Sequence, residues 1–66
     1  MKLHEKEYLM NRARISSINN PDTMVYALIN KSVGQSTITR NEEVVKQHLA
    51  NGFILYGKYK NGDLYL

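Results

Sequence analysis

Sixty-six residues make one domain, and a chain this short buries only about 60% of its unfolded surface, near the limit of independent stability. There is no cysteine, which excludes disulfides and cysteine-based zinc sites, and two separated histidines, His4 and His48, make a poor metal set, so self-association is the remaining common support. The net charge of +3 comes from scattered Lys and Arg and supports nucleic acid or an acidic protein partner only weakly. No stretch is long enough to span a bilayer, so the expectation is a cytoplasmic chain with no membrane partner.

In chain order, residues 2–14 read as a helix. Leu3, Leu9, Met10 and Ala13 share about a third of a turn, the width of a buried stripe, which Lys2 and Lys6 interrupt. Such a helix is marginal alone and needs something to pack on. Residues 16–23 read as a loop, because Pro21 presets its own φ and pushes Asn20 out of the helical region. The boundary falls here, giving an N-terminal helical arm and loop over 1–20 and a compact body over 21–66.

Residues 24–30 are β-rich with both faces apolar, the pattern of an inner strand. A turn over 31–35, with Gly34 at φ > 0, leads to a short strand over 36–39. Thr39 or Asn41 caps the next helix, and Thr39 with Glu42 fits a capping box. Glu42 and Glu43 suit its first turn, and Val44, Val45, His48 and Leu49 form its apolar side. Asn51-Gly52 ends it.

Asn61-Gly62, between two apolar and aromatic runs, signals a hairpin with a type I′ turn. A two-residue turn pairs Lys60 with Asp63, Tyr59 with Leu64, Lys58 with Tyr65 and Gly57 with Leu66. Strict alternation then gives a core face of Phe53, Leu55, Gly57, Tyr59, Leu64 and Leu66, and a second face of Ile54, Tyr56, Lys58, Lys60, Asp63 and Tyr65. The expected fold is α+β: an N-terminal helix, then β-β-α-β-β, with a mainly antiparallel four-stranded sheet and one covering helix.

Catalytic patterns fail on inspection. Residues 52–59 nearly spell a phosphate-binding loop, but the final Ser/Thr is Tyr59 and the segment runs from helix into strand. His4 near Glu5 and Glu7, and His48 near Glu43 and Lys46, have no nucleophile at a recognisable turn. A chain this small is also expected to lack room for a pocket of ~300 Å³. The expectation is therefore no enzyme, no cofactor and no metal.

The candidate interaction face is Tyr56, Lys58, Lys60 and Tyr65. Tyrosine adds interface area at low entropic cost, which favours a protein partner. The alternative is single-stranded nucleic acid, with the tyrosines stacking on bases, the lysines tracking phosphates, and Arg12, Arg14 and Arg40 as auxiliary charge. A third reading has this face covered by the N-terminal helix or simply solvated. Small size and an Asn-, Lys-, Ile- and Tyr-rich composition suit a phage or mobile-element accessory protein. The function expected is a non-enzymatic protein-binding module acting as a homo-oligomer, such as a dimer, that inhibits or regulates a host protein.

Overall fold

The computed structural model describes residues 3–65, with side chains from residue 6 onward. Expectations that fall on Lys2, on the side chains of Leu3, His4 and Glu5, and on Leu66 with its pairing to Gly57 lie outside the described residues. The order is α1 (Leu3–Asn19), β1 (Val25–Asn30), β2 (Gln35–Thr39), α2 (Glu42–Ala50), β3 (Ile54–Lys60) and β4 (Asp63–Leu64). The strands form one antiparallel sheet in the order β2-β1-β3-β4. The α+β class and the inner position of β1 are as the sequence implies.

β1 explains the layering. Val25, Ala27 and Ile29 point to one face and Leu28 and Asn30 to the other, and all five are buried. The first face receives α1: Leu9, Ala13, Val25, Ala27, Ile29 and Tyr59 form one cluster, with Met10, Ile38 and Tyr56 packed on it. The second face receives α2. At its start, the Tyr26 hydroxyl donates to Glu42 Oε1 at 3.0 Å, and at its end, Asn30 Nδ2 donates to Asn51 O at 3.4 Å. Nine helical residues span about 13 Å. Four steps of strand from Tyr26 to Asn30 span about the same distance, so α2 lies along β1. The sheet is thus covered on both sides, and α1 belongs to the core of the same chain.

α1 runs to Asn19, past the boundary expected near residue 14. The stripe of buried Leu9 and Ala13 with half-buried Met10 continues to Ser17, which is fully buried. Ser17 Oγ donates to Arg14 O at 2.6 Å and accepts from Gly62 N at 2.9 Å. A tertiary contact therefore holds in helix a Ser-Ser pair that local preference assigns to a loop. Asn20 closes the end, donating to Ser16 O from both its backbone and its side chain, one residue before Pro21.

Asn41, rather than Thr39, is the N-cap of α2: its Oδ1 accepts from Glu43 N at 2.9 Å. Thr39 Oγ1 instead accepts from Asn41 N at 3.2 Å, so the expected capping box is replaced by a cap two residues later. At the far end Gly52 sits at φ 90, with Phe53 N bonding to His48 O and Gly52 N to Leu49 O, a Schellman ending. The Phe53 ring meets the His48 ring edge-on at 4.7 Å, and His48 Nδ1 lies 2.8 Å from Val44 O. His48 thus packs and hydrogen-bonds at a helix end.

Candidate interaction surfaces

The C-terminal hairpin closes as the sequence implies. Asn61 and Gly62 have φ of 50 and 83, Tyr59 pairs with Leu64, and Lys60 pairs with Asp63. Tyr65 N donates to Lys58 O at 2.8 Å, which extends the ladder one pair further.

The expected two-face assignment holds only near the turn. Ala27 pairs with Gly57 but Leu28 pairs with Leu55, so Tyr56 is an extra residue in β3 and the strand is bulged there. The bulge reverses the facing of everything before it. Leu55 pairs with Leu28 on the α2 face, and Ile54 pairs with Ile29 on the α1 face. Tyr56 turns onto the α1 side, half-buried on the core cluster, with Lys6 Nζ 5.7 Å from its ring centre. Lys6, which interrupts the apolar stripe, thereby covers an aromatic face.

Lys58, Lys60, Asp63 and Tyr65 remain together on the α2 side of the sheet, where Tyr26 pairs with Lys58. Lys60 and Tyr65 are exposed and Lys58 is half-buried. Tyr26 beside them is engaged with Glu42. Burial first, then the hydrogen bond and negative charge of Glu42, push its hydroxyl above the ordinary tyrosine value.

The three arginines are not brought to this face. Arg12 and Arg14 stand on α1, across the sheet, with the Arg12 guanidinium 5.7 Å from the Tyr8 ring and Arg14 Nη2 3.5 Å from Asn11 Oδ1. Arg40 Nη1 donates to Asn20 Oδ1 at 2.6 Å, tying the end of β2 to the end of α1. It lines an open groove of about 820 Å³ with Ser16, Thr23, Ile38, Glu42 and Glu43. The groove exceeds the volume expected of so short a chain and is broadly open to solvent. Among the described residues, no group of three or more His, Asp or Glu is placed to hold a metal ion.

The surface that alternation did not reveal lies on α1. Tyr8 and Ile15 point away from the sheet and Ile18 borders the hairpin turn, each between 47% and 65% exposed. Tyr8 and Ile15, seven residues apart, fall within about 20° on the helix, opposite the core stripe. The signal was present in the spacing, but ending the helix at residue 14 removed Ile15 and Ile18 from it. At its C-terminal end this stripe reaches the hairpin, where Ile18 lies against Gly62. β4 then adds exposed Leu64, which lies beside Gly57 on the α1 side of the sheet.

Comparison of the chain with protein-family models, curated proteins and solved structures finds no match. The fold and its surfaces therefore carry the functional argument alone.

Proposed function

We propose that this protein is a non-enzymatic protein-binding module that self-associates and docks a partner protein on the outer stripe of α1 and the adjoining β4. One observation carries the reading: α1 is apolar on two opposite sides. Its inner side, Leu9 and Ala13, is in the core, and its outer side, Tyr8, Ile15 and Ile18, stands in solvent. Large apolar side chains exposed together on one side of an otherwise polar helix mark an interaction site. In its finer form, resting on composition, the partner is a host protein that the module inhibits or regulates.

Capture from a nuclease-treated bacterial lysate tests the reading. Wild type retains a specific protein band, and Ile15→Lys loses it while melting at the wild-type temperature. The same band on both proteins, or none on wild type, contradicts it.

The second reading, single-stranded nucleic acid, is favoured by the continuity of Lys58, Lys60 and Tyr65. It is weakened by the loss of Tyr56 to the opposite side, which leaves one free stacking ring in place of two. Anisotropy of a labelled oligonucleotide at two salt concentrations tests it, because phosphate contacts release counterions and weaken as salt rises. Tyr65→Ala is the informative variant, since Tyr56→Ala also disturbs the core.

A further inference from the structure

We infer that a second copy of this chain adds to the free edge of β2, antiparallel about Thr37, to form one continuous eight-stranded sheet. The inference rests on the self-association proposed above and names its surface.

The two edges of the sheet are treated differently. β4 has only two residues, beside a neighbour that carries a bulge at Tyr56 and lysines at 58 and 60. Shortness, bulges and lysines are the usual means of blunting an edge. β2 has none of them: Gln35-Ser36-Thr37-Ile38-Thr39 is uncharged, lacks proline and pairs with β1 in unbroken register over all five residues.

The antiparallel register about Thr37 sets Thr37 opposite Thr37 of the second copy, Ser36 opposite Ile38, and Gln35 opposite Thr39. Such hydroxyl and β-branched pairs stabilise adjoining strands. The two-fold axis stands perpendicular to the sheet, so both α1 helices stay on one side and both α2 helices on the other.

Charge fits the same register. The two-fold axis sets the start of β2 in one copy beside the end of β2 in the other, which brings the 31–34 turn of one copy to the same end of the seam as the start of α2 in the other. Lys31 is exposed, and Arg40 is already engaged by Asn20. Glu42 is engaged by Tyr26, so Glu43 at the exposed start of α2 is the group that meets Lys31, twice about the axis. Glu43 gives up little in doing so, since its 3.4 Å pair with Lys46 is exposed on both sides.

Light scattering across a tenfold dilution from about 50 μM decides the matter. Wild type is a dimer. Thr37→Lys, which places like charges opposite each other, is a monomer with unchanged circular dichroism. Lys31→Glu weakens the dimer roughly three- to tenfold, and Lys31→Glu combined with Glu43→Lys restores it. Both of those sites are exposed, so the swap remains informative if Thr37→Lys fails to fold. Ile15→Lys leaves the dimer intact. A wild type that is monomeric throughout overturns the inference together with the self-association beneath it. A dimer that survives Thr37→Lys, is indifferent to the charge swap, or is dispersed by Ile15→Lys overturns the β2 assignment and leaves self-association standing.

Discussion

The buried hydroxyl of Ser17 accepts a 2.9 Å hydrogen bond from the backbone N–H of Gly62, a residue 45 positions later in the chain. A two-residue hairpin leaves this N–H outside its own ladder, so it needs another partner. α1 provides one at its last turn, and the bond ties the first element of the chain to the last.

Ser17→Ala leaves that N–H unpaired in a half-buried site. The expected cost is roughly 1–2 kcal/mol, read as a lowered urea midpoint at unchanged slope. A variant with the wild-type midpoint would show that the turn is held by its own backbone geometry.

The glycines at 62 and 57 should respond differently. Gly62 has φ 83, and an added Cβ would come within 3.1 Å of Ile18 Cγ1. Gly62→Val therefore meets both backbone strain and a side-chain clash, and should cost about 3 kcal/mol, most of what a domain of this size has in hand. Gly57 carries no such strain. A Cβ there clashes with the thioether end of Met10, Cε and Sδ, which is flexible enough to move, and meets Leu64 Cδ1 at an ordinary 3.7 Å. Gly57→Ala should cost about 1 kcal/mol, and Lys60→Ala less still, because its pair with Asp63 is exposed. Thermal melts give the ranking, and a Gly62→Val protein that melts like wild type would remove the type I′ turn from the account.

Tyr26 provides a pH signature. Its hydroxyl is held above the ordinary value by burial, then by Glu42, so the fold favours the neutral form. The associated stability is fully present below about pH 10, the unfolded value, and is lost as pH rises through the raised folded value. Tyr26→Phe should flatten the fall in stability across that alkaline window. An ultraviolet titration should lose one tyrosine ionisation from its high-pH end in Tyr26→Phe relative to wild type.

Local chemistry made much of this fold legible. Asn61-Gly62, Asn51-Gly52 and the apolar run of β1 each demand a particular backbone or burial, and each is found where the residues imply. Tertiary effects were not legible. Ser16 and Ser17 stay helical because Gly62 receives the Ser17 hydroxyl, which no local preference encodes. The bulge at Tyr56 leaves no mark on alternation, yet it separates Tyr56 from Lys58, Lys60 and Tyr65 and so divides the site inferred from a strict period of two. The outer stripe of α1 became visible only once the helix extended through Ile15 and Ile18.

The most direct test of the docking surface is hydroxyl-radical footprinting of the protein alone and with the protein it captures from lysate. Tyr8, Ile15 and Ile18 on α1, with Leu64 on β4, should lose reactivity in the complex, while buried Tyr59 stays unreactive in both. Full reactivity at Tyr8 and Ile15 in the complex, with protection confined to Lys58, Lys60 and Tyr65, would contradict the account and move the binding site to the opposite side of the sheet.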